Sequence, residues 1–124
     1  MDITEIKSII QMYFDASFEH NGDKMLEVFH EAAHIYGLGA EGALTDTSRN
    51  AFADRVSSHK INNSGSIFPR QEEIISIDFT GENAAVARVK LRVMNTVFTD
   101  ILSFLRVNGK WGVIAKVLSG VPAE

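Results

Sequence analysis

The sequence predicts an α+β domain, and three observations carry that prediction. Helical periodicity is confined to the first half, the residues from Ile67 onward are almost continuous β-branched or alternating runs, and the polar segment Asn62-Asn63-Ser64-Gly65-Ser66 joins the two. A chain of 124 residues has the length of one domain, so a single unit over 1–124 is expected.

Ile3, Ile6, Ile10, Tyr13, Phe14 and Ser17 share one helical face, while Glu5, Lys7, Gln11 and Asp15 lie elsewhere on the wheel. This spacing predicts an amphipathic helix over about 3–20. Asp2 and Glu5 can form a capping box, and His20-Asn21-Gly22 supplies the stop, because Asn and Gly tolerate the left-handed conformation after a helix. Asp23 is expected to cap a second, shorter helix that buries Leu26 and Phe29 and ends near His30. A short strand follows at Ala33–Gly37, then a glycine-rich break, then a third helix over about 48–59 with Ser48 as its cap. The second half predicts strands at Glu72–Thr80, Ala84–Asn95, Val97–Val107 and Lys110–Leu118, with hairpin signals at Gly81-Glu82-Asn83 and Asn108-Gly109.

Composition narrows the function classes. Twelve Lys and Arg against sixteen Asp and Glu give a formal net charge of −4, which works against phosphate backbones and anionic membranes; no nucleic-acid or membrane partner is expected. With no Cys there is no thiolate nucleophile and no Cys-ligated metal or cluster. His30 and His34 have the i, i+4 spacing of helical metal ligands, yet no third ligand accompanies them, so neither a metal nor another cofactor is expected. The segment MDITEIKSIIQMYF lacks the pattern of a signal peptide and no apolar run approaches a membrane span, which leads to the expectation of a cytoplasmic protein.

Several residues invite a chemical role. Tyr13 places a phenol on an apolar helix face, where its hydroxyl needs a partner. His34 and Tyr36 are two apart on one strand and so share a face, where imidazole and phenol together can address a polar ligand or a water. Lys116 interrupts the apolar strand VIAKVL, with Ile114 and Leu118 as neighbours on its own face, and its ammonium either snorkels at an edge or is held in a cavity with an anionic partner. Arg88, Lys90 and Arg92 alternate with Val89, Leu91 and Val93, which reads as a solvated outer face or an anion-binding ridge. His20 and His59, near helix ends, suit interaction with C-terminal helix dipoles. The run Ile101-Leu102-Ser103-Phe104-Leu105 is apolar on both faces of its strand. Helices cover only one face of a sheet in so short a chain, so a second copy is expected on the other, and Leu102 and Phe104 are assigned to that homodimer contact.

The order of elements, together with YFDASFEHNGDKMLEVFH and FTDILSFLRVNGKWGVIAKVL, resembles the nuclear transport factor 2-like superfamily, specifically its branch labelled putative lumazine-binding. The resemblance covers essentially the whole chain. It implies N-terminal helices packed in a strongly curved, mostly antiparallel sheet that forms a cone with a pocket at its open end, and pairing of two copies through the sheet. It turns Lys116 and Ser103 toward the cone. The implied function is binding of a small-molecule ligand by Tyr13, His34, Tyr36, Ser103 and Lys116, with two alternatives: an acid–base enzyme using His34 or Lys116 as base, and an association module with a cone filled by Phe18, Phe52 or Met94. The same superfamily contains ketosteroid isomerases. Matched to them, Tyr13 falls at their oxyanion-binding tyrosine, but Gly37 and Ser103 fall where they carry their two acids, so the resemblance implies that ketosteroid isomerase-type chemistry is absent.

Overall fold

The computed structural model describes residues 3–63 and 68–123. Three helices, α1 (Ile3–Glu19), α2 (Gly22–Val28) and α3 (Arg49–Asn63), accompany six strands: β1 (Phe29–Leu38), β2 (Leu44–Ser48), β3 (Glu72–Thr80), β4 (Ala84–Val93), β5 (Thr96–Val107) and β6 (Lys110–Pro122). The strands form one curved, unclosed sheet in the order β2-β1-β6-β5-β4-β3. Every pairing is antiparallel except that of β1 with β6. The α+β class is therefore as the sequence predicts.

Helix α1 buries Ile6, Ile10, Tyr13 and Phe14 against the sheet, which is the face its periodicity marks. His20 ends it with φ +54°, the left-handed residue that commonly terminates a helix. The next helix starts two residues earlier than expected. Asn21, not Asp23, is its cap, with the side-chain oxygen accepting from the Lys24 backbone N–H at 3.2 Å. Its inward residues are Met25 and Val28, whereas Leu26 is exposed and Phe29 already belongs to β1. Ser48 caps α3 by accepting from the Ala51 N–H at 3.2 Å, and α3 runs on through Asn62 and Asn63. Ser64, Gly65 and Ser66, the remainder of the expected linking loop, and the Asp2 cap lie outside the described residues.

The strand β1 is twice the expected length because both of its edges are paired, and β2 was not legible as a strand at all. The hairpin turns fall as the sequence predicts. Asn108 and Gly109 both have positive φ, +52° and +79°, as a two-residue turn between right-twisted strands requires. Met94 with φ +52° closes the β4–β5 hairpin, which ends β4 at Val93 instead of Asn95.

The two-faced strand resolves against the sequence-based expectation. Leu102 and Phe104 are 0% and 1% exposed within a single chain, packed in its own core. They therefore cannot form a contact between copies. Ser103, Ile101 and Leu105 are the residues that face away from the helices, and Ile101 is 41% exposed. Registers place Tyr36, Val117, Ile101 and Arg88 in one row across that outer face, and His34, Ala115, Ser103 and Val86 in the next. The outer face continues through exposed Arg88 and Lys90, while Arg92 is half-buried, with its guanidinium on the Phe68 ring at 4.7 Å and Nε donating to the Met94 carbonyl at 2.9 Å. Val89 and Leu91 point to the core.

Candidate functional site: a Tyr13–Asp100–Lys116 relay in the cone

Between the helices and the concave face of the sheet lies a cavity of about 370 Å³. Apolar rings and side chains form most of its wall, among them Phe52, Val56, Phe98 and Leu118, and Tyr13 and Lys116 also line it. Phe52 and Met94 are part of this wall and leave the space open. Phe18 lies outside it, half-exposed beneath the Arg70 guanidinium, which is held by Asp15 and Glu72 at 2.7 Å each.

Three elements far apart in sequence meet here. Helical spacing puts Tyr13 on the buried stripe of α1. Strand parity puts Asp100 on the same face of β5 as Leu102 and Phe104. In β6 a bulge decides the matter: Phe104 pairs with Val113 and Ser103 with Ala115, leaving Ile114 without a partner, and the extra residue turns Lys116 inward. Ile114 is thus not a neighbour of Lys116 on one regular face, as an unbroken strand would have made it. The Tyr13 hydroxyl donates to Asp100 Oδ2 at 2.5 Å, and Lys116 Nζ donates to the Tyr13 oxygen at 2.9 Å. The ammonium also lies 4.2 Å from the centre of the Phe52 ring and 5.0 Å from that of Tyr13, where ring quadrupoles favour its charge.

The electrostatics of this relay are governed by burial. Lys116 is 4% exposed, and loss of water pushes its pKa down to about 8 despite the attraction of Asp100; Arg55 adds to the depression. Burial raises the pKa of the Asp100 carboxyl, opposed by Lys116 and by the Tyr13 hydrogen bond. Burial and the neighbouring carboxylate hold the Tyr13 phenol well above its usual value. Asp100 Oδ1 is buried without a hydrogen-bond partner among the described residues. Toward the mouth, His20 and His59 stand with ring centres 6.1 Å apart beside Arg55, and burial together with His59 lowers the pKa of His20.

The sequence-predicted site residues therefore separate into two groups. Tyr13 and Lys116 meet in the cavity. His34 and Tyr36 share a face as expected, but it is the outer one: their rings stack 6.1 Å apart, and His34 Nδ1 is 2.5 Å from Asp46 Oδ1. Ser103 is also on the outer face, because parity from buried Leu102 and Phe104 leaves it no other choice. The acid that meets Tyr13 is Asp100, three positions before Ser103, and sequence reasoning missed it although Phe98, Asp100, Leu102 and Phe104 alternate. Gly37 is buried and its missing Cβ would sit 3.0 Å from Leu118, so that position supplies no carboxylate. His20 and His59 line the cavity mouth, and Arg55 and Phe52 join them from α3. Among the described residues no cluster of three or more His, Asp or Glu is disposed to hold a metal, and no helix is long and apolar enough to cross a membrane.

A curved sheet closing over a long helix, with a polar relay at the base of an apolar cavity, defines a nuclear transport factor 2-like cone. The family model described as "Putative lumazine-binding" matches residues 1–119, and the chain belongs to that family. Solved structures of similar shape include a nuclear transport factor 2-like protein of unknown function from Silicibacter pomeroyi, 22% identical with a TM-score of 0.81, covering 96% of this chain and 95% of the other. One from Shewanella baltica is 24% identical with a TM-score of 0.80, covering 99% and 98%. A third, from Methylobacillus flagellatus, is 28% identical with a TM-score of 0.78, covering 97% and 92%. Among curated protein sequences none matches this chain.

Proposed function

We propose that the cone binds one small, flat molecule and presents Tyr13 and Lys116 to a carbonyl or acidic oxygen on it, as two copies of the chain pair through the outer face of the sheet. The observation that carries the reading is the buried Lys116–Tyr13–Asp100 relay beside an open cavity. Buried polar groups are costly in a core that apolar residues would fill more simply, and a pocket with a few convergent polar groups and shifted pKa values is the usual form of a ligand site. The family's description supports a heteroaromatic occupant such as lumazine, whose ring matches the walls of Phe52 and Phe98. Titration calorimetry with lumazine, alongside native mass spectrometry of the purified protein for a retained molecule, tests the reading. Saturable binding weakened about 10- to 150-fold by Lys116→Met is expected, which corresponds to a hydrogen bond to a charged group. No binding of lumazine and no retained molecule would count against it.

Pairing through the sheet is supported by Ile101, Leu105 and Val117, which form an exposed apolar patch on the outer face. A second reading, acid–base catalysis in the same cavity, is favoured by the depression of the Lys116 pKa to about 8, close to the range of an effective base. With no carboxylate at Gly37, turnover of an unsaturated ketosteroid is not expected, and turnover lost in Tyr13→Phe would overturn that exclusion.

A further inference from the structure

We infer that Lys116 is a carbonyl-capturing lysine, which forms an imine with a small aldehyde or ketone that enters the cone. The inference deepens the ligand-binding reading and rests on it. A lysine becomes a nucleophile when it is removed from water and can shed its proton to a neighbour. Lys116 meets both conditions. It is buried at the wall of a largely apolar cavity, and a chain of two hydrogen bonds connects Nζ through the Tyr13 hydroxyl to the Asp100 carboxylate. Its pKa, pushed down to about 8, implies roughly 200-fold more free amine near pH 7 than an ordinary exposed lysine holds. The charged groups that set this value are Asp100 from β5 and Arg55 from α3, with the phenol of Tyr13 from α1 between amine and carboxylate.

The relay can move every proton the reaction needs. Lys116 starts as an ammonium and passes a proton through the Tyr13 hydroxyl to Asp100, where burial, by raising the carboxyl pKa, lowers the cost of that transfer. The free amine then attacks the carbonyl carbon, a C–N bond forms, and the π electron pair moves to oxygen. That oxygen takes a proton from the attacking nitrogen, giving a neutral carbinolamine. Asp100 returns its proton through Tyr13 to the carbinolamine hydroxyl, the C–O bond breaks, and water leaves as the nitrogen lone pair forms the C=N bond. The product is a protonated imine balanced by the Asp100 carboxylate, and no oxidant or reductant is required. In the same cavity the mouth residues His20, His59 and Arg55 would meet the far end of the captured molecule.

Benzaldehyde is a suitable probe, since one aromatic ring fits the walls of Phe52 and Phe98. The protein would be equilibrated with benzaldehyde near neutral pH, reduced with cyanoborohydride, and mapped by peptide mass spectrometry against Lys7, Lys24, Lys90 and Lys110 as internal references. The expected result is a fast benzyl adduct on Lys116, modified at least about tenfold faster than any of the four, and loss of that fast adduct in Lys116→Met. Because the wild-type peptide map alone reads the preference, a poorly folding variant does not compromise the test. Modification spread evenly over the lysines would overturn the inference. If lumazine or benzaldehyde binds reversibly in the cone while Lys116 gives no adduct, the ligand-binding reading stands and imine formation fails. If nothing binds and nothing is trapped, both fail.

Discussion

Replacing Asp100 by Asn keeps the shape of the side chain and removes the negative charge that Lys116 faces. Asp100 and Lys116 are 1% and 4% exposed, so in Asp100→Asn the ammonium is left in the core with only the Tyr13 hydroxyl and two ring faces around it. The two charges are bridged by the Tyr13 hydroxyl and not in direct contact, so the loss should approach but not exceed the about 3–5 kcal/mol of breaking a direct buried ion pair. At a urea dependence of about 1–3 kcal/mol per molar, the unfolding midpoint should fall by about 2 M. The loss should depend on pH in a definite direction. Lys116 has a folded-state pKa of about 8 against 10.5 when unfolded, so its favourable contribution is present above 10.5 and lost as pH falls through the folded value. Without Asp100 that value drops further, and the variant should be most impaired near pH 6 and recover toward about pH 9, where the amine is neutral. Asp100 itself has a raised pKa, so its contribution is present below 3.8 and lost as pH rises through the folded value; the Asn variant lacks that acid-side slope. The double variant Asp100→Asn/Lys116→Met should return to within about 1 kcal/mol of the parent, since the stranded charge is gone. Urea unfolding followed by circular dichroism at both pH values measures all of this. A loss that is the same at both, or a double variant as impaired as Asp100→Asn alone, would refute the reasoning.

The two faces of β5 and β6 should respond in opposite ways: Val117→Asp, at a position 47% exposed, should leave circular dichroism unchanged and shift sedimentation from dimer to monomer, whereas Phe104→Asp should unfold the chain. Gly22→Ala should destabilise α2 and α3 together by more than the about 1 kcal/mol typical of a point substitution, because a Cβ there would lie 2.2 Å from Ser57 Oγ and 2.4 Å from the Ala53 carbonyl oxygen. Thermal unfolding reads that loss, and an unchanged midpoint would mean that the two helices can separate without cost.

Two of the three relay residues were legible in the sequence. Tyr13 stands out because helical periodicity is local and a phenol on the apolar stripe must find a partner. Lys116 stands out because an ammonium in an apolar run demands one. Asp100 was missed for a specific reason: a strand apolar on both faces offers no internal clue to which face is buried, and the resemblance put the inward position at Ser103. His34 and Tyr36 illustrate the same limit, since alternation shows that they share a face without saying which side of the sheet it is.

By itself the sequence determined what local interactions decide: the extent of α1, its stop at His20-Asn21-Gly22, although His20 and not Asn or Gly takes the left-handed conformation, the Asn108-Gly109 turn, and four strands in the second half. Helix periodicity, turn residues and β-branched runs act over a few positions, so no distant contact is needed to read them. The tertiary structure alone decided the rest. It paired β1 in parallel with β6, gave β2 its place at the sheet edge, and set a one-residue bulge at Ile114 that directs Lys116 into the cone. The relay joins Tyr13 to residues 87 and 103 positions away. Such a contact exists only once the curvature of the sheet has brought α1, β5 and β6 together, because side-chain direction in a strand reverses with every single step of register.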